Sequence, residues 1–503
     1  MPKLEEIQDP ETLKQTAILL EKTVLDQQKK IAKLQAELAR LRGEDHPQLE
    51  LELLKEQLEQ LRRRVFAPST EKRPHAAEAH PERAPQTGHG PKDQPALPTL
   101  VVDHTLADEE RTCPACGGAL VAMDGQFEQT EEVSVVEATY TVVTHRRQKY
   151  RCRCNGAVVT APAPAKLIPG GRYAPEFAVH VAVAKYLDHL PLERQVRAMA
   201  RSGLDVDSQT LWDQTYALAK ALEPTCEALR ARVLDAPVVF ADETRWPVNA
   251  RTDSTKGWWV WEVASEDTAV YWILPSRGEA SAGTILGSYA GTVLCDGYSV
   301  YAAVARNGPR YRLAHCWAHV RRKFVEAEPS SALATEALEL IGKLYLVERQ
   351  LPPVDRHASP DTREAILAAR RDLRAQRSKP VTDVLREWAY AVLPTVLPQS
   401  AIGKAITYML NLWPGLTAFL DDPRIPLDNN AAERGLRGIV VGRKNHYGSR
   451  SQRGATVAAT LYTLFETAKL AGVNPHAYVL AAVKKAIATP GAVTLPEELI
   501  CVD

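Results

Sequence analysis

Residues 237–246 read Pro-Val-Val-Phe-Ala-Asp-Glu-Thr-Arg-Trp. Four apolar residues, Val238 to Ala241, run into Asp242, the pattern of a buried strand that ends on a carboxylate. A second run of the same kind, Val293-Leu294-Cys295, delivers Asp296 just before Gly297. A third acid, Glu433, stands in the segment DNNAAERGLRG. Asp428, Asn429 and Asn430 are good helix caps, so Glu433 falls in the early turns of a helix. Carboxylates crowded together raise one another's pKa, and such a cluster is costly unless cations occupy it. Chemistry on phosphodiesters is therefore the leading expectation.

Around these acids the spacing predicts strands at Pro237–Asp242, Trp258–Ala264 and Val270–Leu274, joined by short gaps that favour an antiparallel meander. A helical stretch over Glu279–Tyr289 leads to the strand ending at Asp296, and Tyr311–Cys316 supplies a fifth strand. The order β-β-β-α-β-α-β is that of a ribonuclease H-like core, in which Asp242 and Asp296 come from adjacent central strands. The stretch from about 325 to 422 carries Leu338, Ile341, Leu344 and Leu385, Trp388, Val392 at helical spacing. It reads as a helical insertion that delays the third acid. Arg437 lies four residues after Glu433, on the same helix face.

Upstream, Val24, Ile31 and Leu38 occupy heptad position a, and Leu20, Leu34 and Leu41 position d, with Gln27 the polar exception. After a pause at 43–47 the pattern resumes with Leu51, Leu54, Leu58, Leu61 and Val65. Dimerisation through this coil and an intramolecular hairpin both fit the break. Residues 68–98 are rich in Pro, His, Ala and charge, the composition of a flexible linker. Cys113-Pro-Ala-Cys116-Gly-Gly and Cys152-Arg-Cys154-Asn-Gly then flank a strand-like block. Two cysteine pairs in that setting read as the knuckles of a zinc ribbon, with Zn²⁺ held by thiolates. The single residue inside the second pair departs from the usual two. From 172 to 234 the pattern is helical: one helix ends near Ser202-Gly203, and Asp207-Ser208 can cap the next. That is the layout of a helix-turn-helix, though a helical hairpin used for packing fits the same pattern.

At 503 residues the chain is long enough for several domains. Lys and Arg (62) balance Asp and Glu (62), which argues against a general polyanion binder, but the charge is uneven. Arg306, Arg310, Arg312, Arg321, Arg322 and Lys323 occur without an intervening acid, and Arg434, Arg437, Arg443, Lys444, Arg450 and Arg453 follow Glu433. Phosphate contacts need positive charge locally, not overall. No apolar run approaches a membrane span, and MPKLEEIQDPETLK lacks the apolar region of a signal peptide. A cytoplasmic, nucleoid-associated protein without a disulfide framework is expected.

ADETRW, CDGYSVY, HCWAHVRRKF, LDNNAAERGLRGIVVGRKN and LFETAKLAGVNPHAYV together resemble the large transposase of bacterial insertion-sequence family sixty-six. The likeness extends upstream through KYLDHLPLERQ, the cysteine pairs and the coil ending in LRRRVFAPSTEK, and so covers nearly the whole chain. The resemblance implies a DDE transposase that cleaves and joins DNA at element ends, with Asp242, Asp296 and Glu433 holding two Mg²⁺ or Mn²⁺ ions. It implies double-stranded DNA as partner, both terminal inverted repeats and target, and small accessory proteins of the same element. Cys316 and His319 match a Cys-x-x-His element whose role the residues do not reveal. Arg321, Arg322, Arg434, Arg437, Arg443 and Lys444 are the expected DNA-phosphate contacts.

The expected architecture is thus a multidomain α+β chain. A coiled coil spans 1–67, a flexible linker 68–99, the β-rich zinc ribbon 100–170 and the helix-turn-helix domain 171–234. The first part of the ribonuclease H-like α/β core covers 235–324, the helical insertion 325–425, and the core helix with the C-terminal helices 426–503. Two rivals remain from other classes. A catalytically inactive DNA-binding regulator derived from a transposase is opposed by intact acids at all three positions. Another ribonuclease H-like nuclease is opposed by the coil, ribbon and helix-turn-helix ahead of the core.

Overall fold

The computed structural model describes residues 101, 114–120, 122, 139–151, 158–248, 257–307, 311–354 and 358–502. The segments expected to form the coiled coil and the linker, and Cys113, Cys152 and Cys154, lie outside the described residues. The chain divides into two compact units, residues 66–139 and the remainder. In the smaller unit, residues 114–116 form a turn and Gly117 follows with φ of 72°, a left-handed conformation that glycine adopts without steric cost.

The larger unit is mostly helical around a mixed five-stranded sheet. A short antiparallel pair, β1 (Lys149–Arg151) and β2 (Val158–Thr160), comes first. Four helices follow: α1 (Pro175–Tyr186), α2 (Leu192–Arg201), α3 (Ser208–Ala221) and α4 (Glu223–Asp235). As the sequence predicts, α2 stops at Ser202-Gly203, where Gly203 takes φ of 81°, and the Asp207 carboxylate accepts the Thr210 N–H as the cap of α3. Packing assigns these two helices different surroundings. α3 buries Leu211, Gln214, Thr215, Leu218 and Ala219, and the Arg453 guanidinium lies over its Trp212 and Tyr216. α2 leaves Arg194, Arg197 and Arg201 exposed.

The sheet comprises β3 (Val238–Trp246), β4 (Trp258–Ala264) and β5 (Ala269–Leu274), then α5 (Glu279–Leu286), β6 (Thr292–Cys295), α6 (Ser299–Asn307) and β7 (Arg312–His315). Its spatial order is β5-β4-β3-β6-β7, with β3 at the centre, antiparallel to β4 and parallel to β6. β3 runs on past Asp242 to Trp246, because β4 keeps pairing with it as far as Trp246 opposite Trp258. The acid expected at a strand end therefore sits in mid-strand. What ends near it is the pairing with β6, whose last partner on β3 is Phe240.

β5 is an edge strand, and unpaired edge amides invite intermolecular pairing. Here a helix covers them. α13, introduced below, offers Thr463 to the Tyr271 N–H and Thr467 to both the N–H and the carbonyl of Ala269.

Beyond β7 the chain is helical: α7 (Trp317–Ala327), α8 (Ala332–Glu348), α9 (Pro360–Leu373), α10 (Lys379–Val392) and α11 (Ala401–Asn411). Their apolar faces close a second core with Val238, Leu294 and Ala314 of the sheet. Three C-terminal helices complete the unit: α12 (Asn430–His446), α13 (Gln452–Leu470) and α14 (Pro475–Ala488). Among the described residues no helix is long and apolar enough to cross a membrane.

Among the described residues of the helical segment, one guanidinium is fully buried. Arg374, in a π-helical turn between α9 and α10, donates to both Glu348 oxygens at 2.8 Å and to the Phe419 carbonyl at 2.8 Å. Removing one member of a buried pair strands the other charge. Arg374→Ala is expected to cost about 3–5 kcal/mol, measured by urea unfolding, whereas exposed Arg371→Ala should be nearly neutral.

Candidate active site

Side chains alternate along β3, so neighbouring acids face opposite sides of the sheet. Asp242 shares its face with its cross-strand partner Glu262, and Glu243 shares the other with Trp261. Asp296 follows the last residue of β6, the parallel neighbour of β3, where its Oδ1 accepts the Tyr298 N–H at 2.8 Å. The two acids expected from the sequence thus lie on adjacent central strands, both half-buried. His315 Nδ1 lies 3.2 Å from the Asp296 carbonyl.

The third acid comes from α12, which is fastened along β3. At its start the Asn429 side chain donates to the Ala241 carbonyl at 3.0 Å, and the Asn429 N–H donates to Cys316 Sγ at 3.2 Å. Asn429 occupies the N-cap position, but its side chain does not cap the helix. The amide is committed to β3, and Asp428 accepts the Asn430 N–H instead. Farther along, Gly435 packs so closely on buried Glu262 that a Cβ there would collide with its Oε1. Arg443 then donates to Thr244 Oγ1 at 2.8 Å and to the Arg245 carbonyl. After the helix, Tyr447 and Gly448 are left-handed, Ser449 N–H donates to the Pro247 carbonyl, and Trp246 Nε1 donates to Ser449 Oγ. Glu433 lies in α12 between Asn429, which bonds to Ala241, and Gly435, which packs on Glu262; its side chain lies outside the described residues.

Several residues of the site carry no motif of their own. Glu243 is buried; its Oε1 accepts from Arg277 Nε at 2.8 Å and from Nη2, and its Oε2 from the Tyr301 hydroxyl. Burial pushes its carboxyl up, against the pull of Tyr301 and Arg277, and the Asp296 charge adds to the rise. Glu262 is fully enclosed and accepts from the Tyr271 hydroxyl at 2.9 Å. Burial, and then the Asp242 charge, hold its carboxyl well above the usual range. Its Oε2 has no hydrogen-bond partner among the described residues. The sequence signal for these residues is slight: a second acid after Asp242, and an acid inside the apolar strand WWVWEVA.

Of the Cys316 and His319 pair, Cys316 has a structural contact of its own. Cys316 is buried at the start of α7, where it receives the Asn429 N–H, and burial raises its thiol to about 11. It joins α7 to the segment that introduces α12. Of the expected DNA contacts, Arg434, Arg437, Lys444 and Arg322 are exposed and Arg321 is half-buried, while Arg443 is occupied with β3. Among the described residues no three His, Cys, Asp or Glu side chains converge as a metal-binding group. Asp242 and Asp296 supply the hard oxygen donors that Mg²⁺ takes, and the expected third ligand is the side chain outside the description. Cys116 is an exposed thiol on a turn with a left-handed glycine after it, a shape that suits a zinc knuckle.

Comparison with known proteins supplies the family. The profile described as "Transposase IS66 family" matches residues 170–457, and that described as "zinc-finger binding domain of transposase IS66" matches residues 110–155. The chain belongs to the IS66 family of transposases, and it carries that family's zinc-finger domain. Among curated proteins it is similar to the uncharacterized protein y4jD of Sinorhizobium fredii, 34% identical over 75% of either chain. It is 30% identical to the uncharacterized protein y4hP of the same organism, over 90% of this chain and 84% of that one. No solved structure matches it.

The contact between Gly435 and Glu262 gives a direct test of how α12 is seated. Gly435→Ala is expected to destabilise the protein by about 1–3 kcal/mol through overpacking. Thermal unfolding of a Glu262→Ala, Gly435→Ala double variant should show a partial non-additive recovery, because the nearest atoms struck by the new methyl are gone while the Tyr271 hydroxyl remains.

Proposed function

We propose that the protein is a DDE transposase with a ribonuclease H-like core, and that Asp242, Asp296 and Glu433 are its catalytic acids. The observation that carries this reading is the fastening of α12 along β3. It brings the helix of Glu433 to the strand of Asp242, next to the strand that Asp296 follows. The sheet order and the β-β-β-α-β-α-β succession support the fold assignment.

In this reading the three carboxylates hold Mg²⁺, which when bound supplies Lewis-acid stabilisation of the charge on the transferring phosphoryl group. The protein's own part is to keep the acids in register. Tyr298 N–H fixes Asp296 Oδ1, β4 fixes the backbone of Asp242, and Asn429 fixes the start of α12. Cleavage adds a water oxygen to phosphorus and breaks the bond to the 3′ oxygen, leaving a 3′-hydroxyl. Joining repeats the displacement with that hydroxyl as nucleophile and a target phosphodiester as substrate. Exposed Arg434, Arg437 and Lys444 on α12 line the approach as phosphate contacts that position DNA without reading its sequence. The exposed arginines of α2 and the zinc-finger domain would engage the terminal repeats. The N-terminal coil would pair protomers so that two ends react in one complex.

Strand transfer of a pre-cleaved, labelled element end into plasmid in Mg²⁺ tests the assignment. Asp242→Asn, Asp296→Asn and Glu433→Gln are each expected to lose roughly 10³-fold or more in rate while still binding the end. Full activity in any of them would remove that acid from the site.

A further inference from the structure

Arg277, just after β5, is built into the active-site region in a way its ion pair does not explain. Its Nε and Nη2 both donate to Glu243 Oε1, while Glu243 Oε2 is already satisfied by Tyr301. The guanidinium lies 3.9 Å from the ring centre of Tyr298 and 4.9 Å from that of Trp259. The Tyr298 hydroxyl donates to the Arg277 carbonyl at 3.1 Å, so the same tyrosine fixes both ends of the residue.

Of the residues that hold Arg277, Tyr298 gives its N–H to Asp296, whereas Glu243 follows Asp242 on β3 with its side chain on the other face of the sheet, so Arg277 is tied to the site through Asp296. Asp296 lies within electrostatic reach of the guanidinium. A cation needed only to neutralise Glu243 would be best enclosed with it, yet the Arg277 side chain is 37% exposed and that of Glu243 1%. Of its five N–H groups, the two on Nη1 and the second on Nη2 make no hydrogen bond among the described residues. A planar fork with donors to spare, locked by two rings and a carboxylate, is pre-organised for a phosphate oxygen.

We propose that Arg277 contacts the reacting phosphodiester, with Glu243, Tyr298 and Tyr301 as the positioning residues that hold it there. This rests on the transposase reading and adds to it a cationic residue from outside α12. The contact would strengthen as negative charge develops on the phosphoryl oxygens, so it should act on the rate more than on binding.

The test is single-turnover joining of a pre-cleaved end of the element that encodes the chain, at saturating DNA and Mg²⁺. Full-length wild type, Asp242→Asn, Arg277→Ala and Arg277→Lys are compared. Arg277→Ala should lose about 10²–10³-fold in rate, with end affinity nearly unchanged. Arg277→Lys, which keeps the charge without the fork, should recover part of that loss. Replacing the reacting phosphate by a neutral methylphosphonate should slow wild type by a larger factor than Arg277→Ala, since the charge and its partner are coupled. Joining by Arg277→Ala at the wild-type rate, an equal methylphosphonate penalty in both proteins, or no recovery in a folded Arg277→Lys protein would overturn the assignment. In those outcomes wild type still joins and Asp242→Asn does not. Joining by Asp242→Asn at the wild-type rate, or none by wild type, sinks the transposase reading and Arg277 with it.

Discussion

Everything in the candidate site depends on how α12 is held against β3. The helix is about 25 Å long from its 17 residues, and the stretch it follows, from Ala241 in β3 to Pro247 just after it, is roughly 20 Å. The two are joined at both ends and between: Asn429 to Ala241, Arg443 to Thr244 and Arg245, Ser449 to Pro247. Gly435 allows the close approach in the middle, because any Cβ would strike Glu262. The chain has left the sheet for the whole helical segment before it returns. A loose return would leave α12 without a fixed position, and on the proposed reading Glu433 needs one, because phosphoryl transfer depends on fixed geometry.

The same region gathers four acids, Asp242, Glu243, Glu262 and Asp296, near the sheet centre. Like charges at close range in a low-dielectric interior are strongly unfavourable. β-strand alternation relieves part of this by sending Asp242 and Glu243 to opposite faces. Glu243 is matched by Arg277 and Tyr301, and Glu262 is enclosed with a tyrosine hydroxyl as its donor. Burial favours the neutral form of both carboxyls. The acids left half-exposed are Asp242 and Asp296, the pair assigned to the chemistry.

The helical segment is attached mainly by its own core, with the Arg312–Asp421 ion pair joining it to β7 at the surface. Its apolar faces close on Val238, Leu294 and Ala314, and buried Arg374 ties α8 to the turn between α9 and α10. Cys316 then links the start of α7 to the residues introducing α12. The first residue of the Cys-x-x-His element thus serves as a junction between helices.

By itself the sequence determined the strands, the acids and the caps whose signals are local. Apolar runs ending at Asp242 and Asp296, the stop at Ser202-Gly203 and the Asp207 cap can all be read within a few residues. The tertiary structure decided what depends on partners far away in the chain. Continued pairing with β4 carries β3 past Asp242, and the demand of the Ala241 carbonyl for a donor takes Asn429 away from capping. Packing against α13 encloses part of α3, which periodicity alone could equally have offered to a DNA groove. Arg277 had no legible role, because its meaning lies in Glu243, Tyr298 and Trp259, which the fold alone assembles around it. A sequence pattern records which side chains want burial or a donor; only the closed chain determines which group answers.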